Sequence, residues 1–113
     1  MKLPFAENAV VDAEKVRDYL LSPLHPVGRF KAVFFAHLGY TQENWVKLQE
    51  DLRRIGMQDA AVQGKFSRFG NKYEVPAILT GPADRSAAVL TVWIVRHGEE
   101  TPRLVTVTPG DQP

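Results

Sequence analysis

Cysteine is absent from this chain. Disulfide staples and thiolate chemistry are thereby excluded, and a structural zinc site would need histidines and carboxylates alone. Histidine is scarce as well, at positions 25, 37 and 97 only. Residues that far apart have no local ligand spacing, so no metal site and no cofactor are expected. Charge of one sign is lacking too. Fourteen basic residues against thirteen acidic leave a formal charge of +1, which gives no global case for nucleic acid and none for DNA. A claim for RNA would have to rest on a local basic patch. No apolar run approaches the roughly 20 residues of a membrane span. The segment Met1-Lys2-Leu3-Pro4-Phe5-Ala6-Glu7 lacks the uninterrupted apolar core of a signal peptide. The expectation is a cytoplasmic protein without a membrane partner, although a toxin domain exported by other means would read the same. Walker loops, dinucleotide fingerprints and paired-carboxylate motifs are missing, and Ser67 and Ser86 sit in no nucleophile motif.

What remains is an ordinary globular composition, 44% hydrophobic and 24% charged, over 113 residues. That length makes one domain, able to bury roughly 65% of its unfolded surface. Residues 1–11 read as an irregular lead-in in which Ala9-Val10-Val11 has strand character. Asp12 is placed to cap a helix over about 13 to 21, with Ala13, Val16, Tyr19 and Leu20 at helical spacing. Ser22-Pro23 ends it. His25-Pro26 opens a second helix, with Pro26 in its first turn and Gly39 beyond its end. Phe30, Val33, Phe34, His37 and Leu38 share one arc of this helix. Gly28, Ala32 and Ala36 form a second stripe. A helix apolar nearly all round is a buried one, so this helix is expected at the centre of the domain, with His37 a core histidine. Thr41 is expected to cap a third helix, with Trp45, Leu48, Leu52 and Ile55 inward, Asp51 among the solvated residues and Gly56 as its stop.

After Gly56 the period changes to two. Residues 60–68 read as a strand with a glycine bulge at Gly64, Gly70-Asn71 as a hairpin turn, and Lys72 to Val75 as the returning strand. Pro76 pushes that strand to an edge or a bulge. Ala87 to Val95 is apolar and β-branched, as a central strand should be. Residues 103–108 form the last strand, with Val105 and Val107 expected against the helices and Leu104, Thr106 and Thr108 on the open face. Residues 109–113 are a tail. Helices followed by strands argue an α+β domain over 1–113, about three helices on one face of a four-stranded antiparallel meander.

One pattern runs nearly the full chain: Ala9-Val10-Val11, Asp18-Tyr19-Leu20-Leu21, His25-Pro26-x-Gly28-Arg29-x-Lys31-Ala32-x-Phe34-Phe35, Leu38-Gly39-Tyr40, Phe69-Gly70-Asn71-Lys72-Tyr73, Val92-Trp93-Ile94-Val95 and Pro102-Arg103-Leu104-Val105-Thr106. It resembles an uncharacterised bacterial family catalogued as domain of unknown function 6883. That resemblance implies no activity and assigns no residue a role. The order of elements also resembles, at the level of architecture, the fold group of barnase, RelE and the tRNA-cleaving colicins. That likeness implies a metal-independent, toxin-type ribonuclease, an analogy of fold and not of site.

Two functions follow as expectations. In the first, the chain cuts RNA. His25 is the acid or base, Lys31 and Arg68 hold phosphate, and Thr106 orients it. The amides of Val27, Gly28 and Arg29 at a helix start supply an anion site. Lys31 either snorkels to a rim or faces a cleft. The segment Lys65, Phe66, Arg68, Phe69, Lys72 and Tyr73 offers three cations and three rings to an unpaired strand, or else forms a hairpin with Phe66 in the core and a solvated tip. In the second, the chain is a non-catalytic module that pairs with a small immunity or antitoxin-like protein through the open sheet face.

Overall fold

A computed structural model describes residues 1–110. Three helical segments precede four strands. α1 (Ala13–Lys15) runs directly into a π turn (Val16–Leu20); α2 spans Gly28–His37 and α3 Trp45–Gln58. β1 (Val62–Ser67), β2 (Gly70–Thr80), β3 (Ser86–Arg96) and β4 (Pro102–Pro109) form one antiparallel sheet in sequence order. The expected α+β meander with helices on one face is the fold. The lead-in contributes a 3-10 turn and one parallel bridge, Val10 to Arg103, which covers the start of the β4 edge. Of the tail expected at 109–113, Pro109 closes β4 and residues 111–113 lie outside the described residues.

The core lies between α3 and one face of the sheet. Leu48, Leu52 and Ile55 meet Val75, Leu79, Val89, Trp93 and Val107, all buried. Trp93 is fully buried, and its Nε1 donates to Thr91 Oγ1 at 2.8 Å. That hydroxyl in turn donates to the Val75 carbonyl at 2.8 Å. The only polar atom of the indole is thus satisfied inside the core, as a buried donor requires.

Several local expectations change. α3 starts at Trp45, because Asn44 and not Thr41 holds the turn: Asn44 Oδ1 accepts from the Thr41 amide at 2.7 Å. Gly56 does not stop the helix; it lies inside it, and a Cβ there would sit 2.6 Å from the Trp93 ring. Asp51 is 4% exposed, not solvated. Its carboxylate accepts from Tyr40 Oη at 2.6 Å, Lys47 Nζ at 3.1 Å and Arg54 Nη1 at 3.2 Å. A carboxylate that deep needs such donors. Burial, and then the neighbouring carboxylate, push the Tyr40 hydroxyl far above the ordinary phenol range.

The hairpin turn between β1 and β2 is Arg68-Phe69, since Ser67 pairs with Gly70. Gly70 belongs to the ladder, where a Cβ would meet the Val95 carbonyl at 2.4 Å. Phe66 is 65% exposed and not in the core, because this hairpin extends past the helices. The bulge expected at Gly64 is present: Gly64 and Lys65 together oppose Lys72. Pro76 also sits where its missing N–H costs nothing. The pairing of β1 ends at Val62 opposite Glu74, so from Val75 onward that side of β2 has no strand partner.

A second bulge reverses part of β4. Val92 pairs with Thr106 and Trp93 with Leu104, leaving Val105 as the extra residue. Leu104 and Val107 therefore both face the core, and Leu104 is 3% exposed. Strict alternation had placed Leu104 on the open face and Val105 against the helices; one inserted residue corrects both.

The largest change concerns α2. It buries Gly28, Ala32 and Phe35, with Leu38 just beyond its last turn. Of the arc expected inward, Leu38 is buried and Phe34 packs half-buried against the core, but Phe30 is 67% and Val33 73% exposed, and His37 is exposed with them. Gly28 explains the choice. A Cβ at that position would lie 1.9 Å from the Tyr19 carbonyl of the π turn. The start of the helix can approach the π turn only because position 28 has no side chain. Gly39, at φ +99°, follows the last turn as expected.

The Gly56–Trp93 contact makes a signed prediction. In an open helix, Gly→Ala stabilises by about 1 kcal/mol. Here Gly56→Ala overpacks the indole and should instead destabilise by about 1–3 kcal/mol. Urea unfolding of the purified variant, followed by Trp fluorescence, measures the sign.

Candidate functional site

The π turn projects Tyr19 into a meeting point of three elements. A π turn adds one residue to the usual helical ring, which widens the turn and shifts its side chains. The His25 ring meets Tyr19 edge-on, with centroids 5.0 Å apart and an 84° angle between planes. Lys15 Nζ lies 5.6 Å and Lys31 Nζ 5.7 Å from the Tyr19 centroid. Cations at this range are attracted by the ring's negative face.

Lys31 also reaches across to β4. Its Nζ donates to Thr106 Oγ1 at 2.7 Å and to the Val107 carbonyl at 2.8 Å. The bulge at Val105 precedes these acceptors, and bulges re-aim neighbouring side chains. Two of the candidate residues, Lys31 and Thr106, thus touch directly, and His25 joins them through the Tyr19 ring.

His25 has a defined structural duty. Its Nδ1 accepts from the amides of Val27 at 3.0 Å and Gly28 at 2.9 Å, while its carbonyl accepts from the Arg29 amide at 3.1 Å. The three amides expected to hold phosphate are therefore occupied by the chain itself. The imidazole acts as the cap of α2. With Nδ1 accepting, the neutral ring carries its proton on Nε2, so only a donor points away from the cap. The cleft beside it, about 650 Å³, is lined by Asp12, Ala13, Glu14, Lys15, Tyr19 and His25. Its two carboxylates work against an anionic ligand.

Arg68 does not join this group. It sits in the β1–β2 turn, with its guanidinium 4.9 Å from the Phe69 ring. Thr106 is on β4, at the other edge of the sheet. Three strand spacings, roughly 14 Å, separate the two edges. His97 is exposed on the β3–β4 turn, as expected, where its Nε2 lies 2.9 Å from the Ser67 carbonyl. Among the described residues no group of three or more histidines, carboxylates or cysteines could hold a metal ion. The residues that sequence reasoning missed are Tyr19 and Lys15. Tyr19 lay at core spacing, and nothing local announces a π turn.

The sheet's other face is a separate feature. Val62 on β1, Ile78 on β2, and Leu90, Val92 and Ile94 on β3 alternate with the core residues and point away from the helices. Ile78 is 67% exposed. Lys72 lies beside Ile94, and Glu74 separates Val62 from Val92. No described helix packs over it, since α3 already occupies the opposite face.

The capping role of His25 separates from chemistry by substitution. His25→Asn keeps a side-chain acceptor for the helix amides and should leave stability within about 0.5 kcal/mol, whereas His25→Leu should cost about 1 kcal/mol. Paired thermal melts would show whether the two variants part in that order. Lys31→Met removes both donations to β4 and should cost about 1.5–3 kcal/mol by urea unfolding.

Comparison with known proteins adds two findings. A chain in the solved structure of a contact-dependent growth inhibition toxin–immunity protein complex from Klebsiella pneumoniae 342 superposes with a TM-score of 0.71 at 17% identity. The match covers 96% of this chain and 98% of that one. At that identity the likeness establishes the shared fold. No curated protein matches the sequence. The model of the family described as Domain of unknown function (DUF6883) matches residues 2–111. The chain belongs to that family.

Proposed function

We propose that this chain is one member of a toxin–immunity type pair and that a folded partner protein docks on the open face of its sheet. The observation that carries the reading is the apolar patch of Ile78, Leu90, Val92 and Ile94 on β2 and β3, over which no described helix packs, with exposed Val62 beyond Glu74 on β1. Apolar patches of this kind, rimmed by charged residues, mark protein interaction sites. A structural neighbour was solved as part of a toxin–immunity complex, which supports a protein partner of that class over a small molecule. The cleft at His25 offers less to a ligand, because its amides are spent on capping and its walls carry Asp12 and Glu14.

A metal-independent ribonuclease of the toxin type is the second reading. One observation favours it: His25, Lys31 and Thr106 gather around Tyr19, with Lys15 as a further cation. There, Lys31 would stabilise the phosphorane formed when a ribose 2′-OH attacks the phosphodiester. His25 would first have to release its cap to act as a base.

The two readings part in two experiments. In the first, the chain is co-expressed with the product of each adjacent gene, and any complex is purified and reconstituted from its parts. A stable pair is expected, with hydrogen-exchange protection on β2 and β3. Ile78→Asp should weaken it at least tenfold, an effect of order 1.4 kcal/mol or more, while leaving stability within about 0.5 kcal/mol. Protection confined to the helices would refute the open-face reading. In the second, purified chain is incubated with total RNA, tRNA and ribosome-bound mRNA. Cleavage lost in Lys31→Ala would favour the enzyme, and intact RNA would remove it.

A further inference from the structure

We propose that the outward side of α2 is a dimer interface that takes a second copy of this chain. It is distinct from the open sheet face and uses other residues. Val27, Phe30 and Val33 recur at three-residue spacing along α2, all large, apolar and exposed. Leu24, in the loop before the helix, extends the patch and is exposed as well. Inside the domain α2 turns Gly28 to the π turn, and no described element covers Phe30 and Val33, which stay exposed.

Beside the stripe runs a groove of about 600 Å³ between α2 and two loops. Pro23, Ala32, Ala36 and Tyr40 line it, together with Phe30 and Val33 on one wall. One patch therefore carries both the protruding side chains and the hollow that could receive them. A two-fold contact requires that arrangement, because the same surface must complement itself. Ala36, small and exposed beside the groove, leaves room for a neighbouring helix.

Charge picks the same occupant. Arg29 on α2 and Glu43 on the α2–α3 loop both line the groove. Neither is in an ion pair among the described residues. Across a two-fold axis, each Arg29 would face the partner subunit's Glu43, and the pairing would occur twice. An unrelated partner would have to supply both charges and both shapes independently. A second copy has them already. The Arg29 guanidinium lies 4.8 Å from the Phe30 ring, so the cation stands directly over the protruding aromatic it would help seat.

Sedimentation velocity of the full chain over a concentration series tests this. The wild type should be dimeric at about 100 µM. Phe30→Asp should be monomeric there, with an unchanged circular dichroism spectrum and, at dilutions where the wild type is also monomeric, an unchanged melting temperature, because the residue is exposed. Arg29→Glu sets like charges together and should raise the dimer Kd about tenfold or more. The double variant Arg29→Glu/Glu43→Arg restores the pairing and should return to within about threefold of the wild type. A monomeric wild type would overturn the proposal. So would a dimer that survives Phe30→Asp, or single and double charge variants with the same Kd. A wild type that stays monomeric while an adjacent gene's product shields Phe30 from exchange would hand the surface to that partner and overturn it equally.

Discussion

The contact between Gly56 and the Trp93 ring sets how α3 lies on the sheet. Only a residue without a side chain lets the helix backbone come so close to the indole. From that approach follows the burial of Leu48, Leu52 and Ile55 on one side and of Val75, Val89 and Val107 on the other. It also decides the polar core. With the indole at the centre, Nε1 needs an acceptor, and Thr91 provides it while its own hydroxyl donates to the Val75 carbonyl. Trp→Ala in such a setting costs about 3–5 kcal/mol, a large share of a small domain's stability. The apolar residues left outward lie mainly on the opposite face of the sheet and, with Phe30 and Val33, on α2.

α2 shows how far pattern alone reaches. Its residues are apolar nearly all round, so both the larger-residue arc and the small-residue stripe read as buried. The burial of a helix face is decided by what it meets, not by its hydrophobicity. Here it meets a backbone carbonyl at Tyr19, where a single Cβ at position 28 would clash. Gly28 fixes that contact, Ala32 and Phe35 are buried with it, and Phe30 and Val33 are turned outward. The glycine itself was visible in the sequence as an aid to close approach. What it approaches depends on a π turn twelve residues or fewer upstream, which no local propensity encodes.

The strands were legible where the period of two ran unbroken. β3 read as central because it is apolar on both faces, and Pro76 announced a free side of β2 that the pairing confirms. Single-residue events were not legible. The extra residue at Val105 moves Leu104 from one face to the other, and the turn at Arg68-Phe69 displaces the hairpin by two positions from the glycine that seemed to signal it. Both are matters of register, set by contacts across strands. The same limit governs the site. Lys31 and Thr106 were separately nameable by residue type, and they do meet. Arg68 was equally plausible by type, yet the strand order puts it at the far edge.

Chemistry and association make opposite demands on the groups around α2. A phosphate site needs free amides and unpaired cations. Here the amides of Val27 and Gly28 are held by His25, and Lys31 is committed to two acceptors on β4. Those same bonds fix the start of α2 against the domain. A helix anchored in that way presents its outer face with little freedom, and rigidity lowers the entropic cost of binding another surface. β1 shows a matching restraint. Its bulge at Gly64-Lys65 and its exposed lysine interrupt the free edge, which discourages strand-to-strand association. The β1 edge is thereby poorly suited to strand pairing, and the exposed apolar residues lie on faces of the sheet and of α2 instead.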